Sequence, residues 1–299
     1  MHHCSLFDDS EPGERRQALQ VELEAVPELW RATLAVPGEG HLLRSPGQRM
    51  LVLGAGPLVH VARAFADLRE VHQHGPTDAQ QAGDPRIWRD WDHVVAISRD
   101  GAEPELLHAL RHLPPRVRRT AVTTGEHSRV APLVDDVVAI AATGGIVSFE
   151  SATLVRVRQA LGADLTALPA LAASVLAGDV PVTAPGVDHL LVVGSGWTAA
   201  LAARAAQSVA AVAGFRAEAY TQRDVRHGAA QHAGASTLVW FLGATPPELV
   251  DAVPKGAVIV ASGRDPLIDY LELQRLAVQA RAGEPPPLRR RDLASRLVA

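Results

Sequence analysis

Two Gly-x-Gly turns, Gly54-Ala55-Gly56 and Gly194-Ser195-Gly196, each follow a short apolar run and open an Ala- and Val-rich segment. A turn of this kind lets the backbone come close to a ligand, and the amides of the next helix can receive an anion. A second stretch, Ser98-Arg99-Asp100-Gly101-Ala102-Glu103, puts a hydroxyl, a guanidinium and two carboxylates into one loop. A third pairs Glu218 with His227, the latter directly before Gly228, a carboxylate and an imidazole of the kind that move protons. Taken singly, His227 also reads as a loop histidine, Glu218 as a structural hydrogen-bonding residue, and Asp100 as a partner for Arg99.

Dinucleotide binding is the first chemistry such turns bring to mind. The third glycine of GxGxxG is absent, with Val59 and Ala199 in its place, so only the second copy is compatible. Glu70 and Glu218 stand at indifferent spacing for a ribose-binding acid. The pattern argues against a nicotinamide or flavin enzyme.

The elements that must position these residues repeat. Apolar runs at residues 50–53, 94–98, 120–123 and 137–140 predict strands in the first half, and runs starting at Leu190, Leu238 and Val258 predict strands in the second. Helical segments follow both glycine turns, start again at Pro104, and close the first half over residues 143–161. A further strand is expected over residues 70–74, with Trp88 and Trp91 as lids on apolar surface. Leu19, Leu23, Val26, Trp30 and Leu34 recur at helical steps over residues 14–34, and Pro27 is expected to split that helix in two. A short helix over residues 167–176 precedes the break at residues 181–186, and a last helix spans residues 267–282.

The fold class is therefore α/β: two three-layer α/β/α units with parallel sheets, an N-terminal helical segment and an extended C-terminal tail. The corresponding divisions are residues 1–46 for arm and helix, 47–165 for the first domain, 166–186 for a linker, 187–285 for the second domain and 286–299 for the tail. A chain of 299 residues is long enough for two such cores. With 47% apolar and only 4% aromatic residues, those cores must be built from Ala, Val and Leu.

Composition removes several functions. A net charge of −4 without a long basic face excludes nucleic acid as the expected partner. The single cysteine, Cys4, excludes an internal disulfide and a multi-cysteine metal site, and no metal site is expected. No apolar run has the length of a membrane span, so a cytoplasmic protein is expected, without a membrane partner.

Read together, these segments resemble the tandem sugar isomerase (SIS) domain family, which includes the isomerase half of glucosamine-6-phosphate synthase, fructosamine-6-phosphate deglycases and related amino-sugar-phosphate isomerases. Val52-Leu53-Gly54-Ala55-Gly56 with His60 resembles its first glycine turn, and Ala96-Ile97-Ser98-Arg99-Asp100-Gly101 its sugar-phosphate loop. Glu218-Ala219-Tyr220 followed by Arg226-His227-Gly228 resembles its A-E-x-(spacer)-K-H-G motif, and Glu22-Leu23-Glu24-Ala25-Val26-Pro27 its opening helix. The likeness spans nearly the whole chain.

The resemblance implies a small-molecule sugar ligand, no cofactor, a homodimer, and ligand contacts from Gly54, Gly56, Ser98, Arg99, Asp100, Gly101, Glu103, Gly196 and Ser295. It makes His227 the ring-opening acid/base. The chain departs from the family at Pro57-Leu58, where the family has Thr-Ser, and at Asp100 and Glu103, where it has hydroxyls. Ala211 occupies the position of its glutamate base, and Ser295, or Arg296 after a slip of one, that of its C-terminal lysine. Two carboxylates beside a phosphate dianion repel it, and Arg99 offsets one at most. The implied function is an isomerase or deaminase of altered active site working at C1/C2 of an open-chain amino sugar or sugar phosphate, with Glu218, Asp100 or Glu103 replacing the missing base. The alternative is a non-catalytic sugar-binding sensor or assembly partner.

Overall fold

The structure of the protein is a computed structural model that describes residues 12–36, 42, 47–83, 89–125, 127–141, 145–179, 187–214 and 216–279. The chain divides into two compact units, one formed by Ala25–Pro169 and the other by Met1–Glu24 with Ala170–Ala299.

The first unit holds strands β1 (Met50–Gly54), β2 (Thr77–Gln81), β3 (His93–Ile97), β4 (Arg118–Thr123) and β5 (Asp136–Ala139), with helices α2 (Leu58–Val71), α3 (Pro104–His112) and α4 (Ile146–Ala160). Helix α5 (Leu168–Ala177) begins at the end of the first unit and continues into the second, which holds β6 (His189–Gly194), α6 (Trp197–Ala213), β7 (Arg216–Thr221), α7 (Gln222–Arg226), β8 (Thr237–Phe241), α8 (Pro247–Asp251), β9 (Val258–Ala261) and α9 (Pro266–Gln279). Helix α1 (Pro12–Ala35) runs through the point that divides the units.

Both sheets are parallel throughout, in the orders β2-β1-β3-β4-β5 and β7-β6-β8-β9. The order second, first, third, fourth strand thus occurs twice, and a glycine turn follows the first strand in each. The central strands β1, β3, β6 and β8 are buried at every residue, which is why they read as unbroken apolar runs rather than alternations. Leu51, Leu53, Val94, Ala96 and Ala121 form one face of the first sheet and pack on Leu106, Ala109 and Leu110 of α3. In the second, Leu191, Val193, Val239 and Phe241 pack under Val225, Ala230, Ala233, Leu249 and Val253.

Four local expectations are corrected. Helix α1 is one element and carries Pro27 in its interior. Buried Leu19, Leu23, Val26 and Trp30 line one stripe across the proline, and Trp30 Nε1 donates to Ser151 Oγ at 3.1 Å, so tertiary packing compensates for the missing backbone donor. No strand forms at residues 70–74: α2 continues to Val71, and the strand is β2, further on. β2 is an edge strand of sequence Thr-Asp-Ala-Gln-Gln, and an edge strand does not need a continuous apolar run. Strand β7 is a further edge strand of mixed polarity, which no apolar run predicts. Trp91 belongs to the core cluster and is no lid. Trp88, the amino-terminal arm, the break at residues 181–186 and the tail with Ser295 lie outside the described residues.

The glycine turns are the tightest points of the fold. A Cβ on Gly194 would stand 2.2 Å from the carbonyl oxygen of Thr198, and one on Gly54 would stand 2.5 Å from that of Leu58. Those are backbone atoms of the next helix and cannot yield. Gly194→Ala is expected to lower stability by about 1–3 kcal/mol or more, read as a lower Tm by circular dichroism. Gly13→Ala, in the exposed first turn of α1 with open space around it, should leave Tm unchanged or raise it slightly.

Candidate functional site

In an open parallel sheet, ligands are received at the carboxyl ends of the strands, where the strand order reverses. In the first sheet that point lies between β1 and β3, whose last residues Gly54 and Ile97 are paired in register. Gly54-Ala55-Gly56 leaves β1 there and Ser98 to Glu103 leaves β3, so the structure brings Gly54, Gly56, Ser98, Arg99, Asp100, Gly101 and Glu103 to one sheet end. Gly196 takes the corresponding place in the second sheet. Gly56 and Gly196 both have positive φ, +54° and +52°, which is why glycine stands at these turns.

The Ser98–Glu103 loop is satisfied by its own side chains. The amide of Gly101 donates to Ser98 Oγ at 2.7 Å, and the amide of Ala102 donates to Asp100 Oδ1 at 3.1 Å. Ser98 Oγ in turn donates to a Glu103 carboxylate oxygen at very short range. Gly101, at φ +69°, is held where a Cβ would meet Val130 at 2.9 Å. The backbone carbonyl of Arg99 accepts from the hydroxyls of Thr123 and Thr124, at 3.0 and 2.7 Å, and the Arg99 guanidinium lies 4.0 Å from Asp100. Two donors that would meet an anion therefore already meet an oxygen of the loop itself.

Glu103 is electrostatically unusual. Burial pushes its carboxyl up from the ordinary glutamate value, and the negative charges of Asp100 and Glu105 push the same way. Hydrogen bonds from Ser98 and its own backbone amide oppose that rise without cancelling it. A carboxyl of raised proton affinity against a serine hydroxyl can donate or accept a proton nearer neutrality than a solvated one.

The third sequence group is not brought together. His227 caps the carboxyl end of α7 and is exposed. Glu218 points sideways from the middle of β7, in register with Leu191, short of the carboxyl end. Its carboxylate accepts from Tyr220 Oη at 2.7 Å and from Arg216 Nε at 2.6 Å. Those partners, Tyr220 first, hold its pKa below the ordinary value, the wrong direction for a general base near neutrality.

Two clusters escaped sequence reasoning. At the carboxyl end of the second sheet, Asp269 of α9 accepts from the amide of Gly243 at 2.8 Å and from Ser262 Oγ at 2.6 Å. Arg264 reaches the same carboxylate at 3.3 Å and forms a two-pronged pair with Glu272. The other cluster comprises His189, Glu218 and His232. A Ser-Gly-Arg-Asp run at residues 262–265 was the only available sign of the first, and nothing in the spacing of the second marks it.

No family model matches the chain, and no curated protein sequence matches it. Solved structures do. Glucosamine-6-phosphate deaminase from Thermotoga maritima aligns with a TM-score of 0.67 at 16% identity, covering 93% of this chain and 97% of that one. The C-terminal domain of glucosamine-fructose-6-phosphate aminotransferase from Francisella tularensis gives 0.65 at 14%, with 92% and 96% covered. Tagatose-6-phosphate ketose/aldose isomerase from Escherichia coli gives 0.62 at 17%, with 89% and 90% covered. The fold is the tandem SIS fold. Identities this low carry the architecture and leave the chemistry to be argued from the side chains.

Within this SIS fold the buried Asp269 makes a pH dependence. Burial raises its pKa from 3.8 to about 6, against the opposing hydrogen bonds of Ser262 and Gly243 and the charge of Arg264. Between those two values the folded state keeps a proton that the unfolded chain has released. Stability contributed by this group is therefore full at acid pH and is lost as pH rises through about 6. The loss is on the order of 1.4 kcal/mol per unit of separation. Urea unfolding of the wild type and Asp269→Asn across about pH 4 to pH 8 should show a fall in wild-type stability. The variant, whose amide cannot ionise, should show a flatter profile over the same range.

Proposed function

We propose that the protein binds a sugar derivative, an amino sugar or a sugar phosphate, at the carboxyl end of its first sheet and performs acid/base chemistry of the aldose–ketose isomerase or deaminase type with an altered set of groups. The observation that carries this reading is the Ser98–Glu103 loop. It lies at the switch point of a parallel sheet, in a fold shared with a glucosamine-6-phosphate deaminase and a tagatose-6-phosphate isomerase, and holds a carboxyl of raised proton affinity against a hydroxyl.

Moving a proton between C1 and C2 needs a group that takes it and gives it back, and efficiency is greatest when its pKa lies near the working pH. Glu103 meets that requirement better than Glu218, whose partners favour the ionised form. His227 keeps the ring-opening role that the family likeness implies. Asp100 and Glu103 already occupy donors of the loop, which favours a ligand without a phosphate at this point, and Asp100 offers a carboxylate to a cationic amino group. A homodimer in the cytoplasm remains part of this reading.

A non-catalytic sugar sensor is the second reading. It is favoured by Ala211, which stands at the half-buried end of α6 where the family has its base and offers no proton acceptor on its side chain.

The deciding experiment follows deuterium entry at C1 and C2 by NMR in D2O, with hexoses and hexosamines offered with and without a 6-phosphate. Protein-dependent exchange is expected in at least one sugar, falling by about 10²–10⁴-fold in Glu103→Gln and strongly in His227→Ala. Saturable binding without exchange would replace the catalytic reading by the sensor. Neither binding nor exchange across the panel would remove both.

A further inference from the structure

The His189–Glu218–His232 cluster lies away from the loops that receive ligands in this fold. His189 is the first residue of β6, whereas Gly194-Ser195-Gly196 follows its last. In register, His189 stands beside Arg216 and Leu191 beside Glu218, so His189, Glu218 and Tyr220 share the face of the second sheet that is covered by Val225, Ala230 and Ala233. His232 lies in that cover, on the segment returning from α7 to β8.

One ligand atom from each of the three residues lies within 4.8 Å of the other two. His189 Nε2 is 3.7 Å from Glu218 Oε1, and His232 Nε2 is 4.0 Å from Glu218 Oε2. His189 is 8% exposed, and its Nε2 is buried with no hydrogen-bond partner among the described residues. A buried ring nitrogen without a partner, aimed at a carboxylate and a second imidazole, is an unfilled requirement rather than a finished contact.

We infer that His189 Nε2, His232 Nε2 and a Glu218 carboxylate oxygen bind a divalent transition-metal ion of the Zn2+ class, with a fourth position left to water. Such an ion holds imidazole nitrogens and carboxylate oxygens at about 2.0–2.2 Å, which places ligand atoms of a tetrahedral site about 3.4 Å apart. The present separations need only a modest closure. His232 is exposed and can supply it, while His189 is fixed by the strand.

Two neighbours set the terms. Tyr220 Oη donates to Glu218 Oε2 at 2.7 Å, the sort of contact that orients a ligating carboxylate from outside the coordination sphere. Arg216 pairs with Glu218 Oε1 and competes for the same charge. Its side chain is 65% exposed and can turn to solvent when an ion arrives. Two imidazoles and one carboxylate suit Zn2+, Co2+ or Ni2+ and are a poor cage for Mg2+ or Ca2+. A bound ion would tie the edge strand β7 and the α7–β8 connection to β6.

The test uses the full chain after treatment with EDTA, titrated with Zn2+ by calorimetry and with Co2+ by visible absorption. Because His2, His3 and Cys4 could also ligate, the titrations are run in parallel on a His2→Ala, His3→Ala, Cys4→Ser background. One equivalent of Zn2+ is expected to bind on that background and to raise Tm, with Mg2+ and Ca2+ inert. Glu218→Gln and His232→Ala should each weaken binding at least tenfold and abolish the Tm rise, while Arg216→Ala, which removes the competing cation, should tighten it. Absence of stoichiometric binding on the background, or binding that survives both ligand substitutions in folded protein, would overturn the assignment.

Discussion

The close contact of strand end and helix start at Gly54 and Gly194 governs the architecture. With no side chain at these positions, the carbonyl groups of Leu58 and Thr198 come within a distance that any Cβ would fill. Each helix therefore begins directly on the strand it follows, and the chain returns to start the next parallel strand from the opposite end. The glycine turns and the loop after β3 are thus delivered to the carboxyl ends of the parallel strands. The repeated order of second, first, third and fourth strand sets the reversal beside β1 in one sheet and beside β6 in the other. Ser98–Glu103 and Ser262–Arg264 lie at sheet ends because of that topology.

What those loops do with charge differs between the two sheets. In the first, Asp100 and Glu103 take up donors of their own loop, the amide of Ala102 and the hydroxyl of Ser98. In the second, Asp269 is held by an amide, a hydroxyl and a guanidinium, and burial still keeps its proton affinity high. For Glu103 and Asp269 the cause is removal of a carboxyl from water: the charged form loses hydration, and hydrogen bonds or a cation restore only part of it.

The edge strands carry the remaining polar groups. β2 and β7 are paired on one side only, so they do not have to be apolar on both faces. β7 uses the freedom to carry Arg216, Glu218 and Tyr220 at every second position, all directed to one face. That alternation, together with His189 from the neighbouring strand, assembles a ligand set far from its sequence neighbours. Tyr220 and Arg216 favour the ionised form of Glu218, which stands short of the carboxyl end of the sheet.

The sequence by itself determined the repeated α/β plan and the position of the central strands. Continuous burial forces continuous apolar runs, and a glycine is required wherever strand and helix backbones touch. It also determined that Ser98–Glu103 would be a strand-to-helix loop. Edge strands and the continuity of α1 through Pro27 were decided by tertiary structure, since local propensity gives way there to pairing on one side and to the packing of Trp30. The clusters around Asp269 and around His189, Glu218 and His232 were decided the same way. Their members come from separate strands and loops, and strand register together with the folded-back α7–β8 segment brings their side chains within reach of one another.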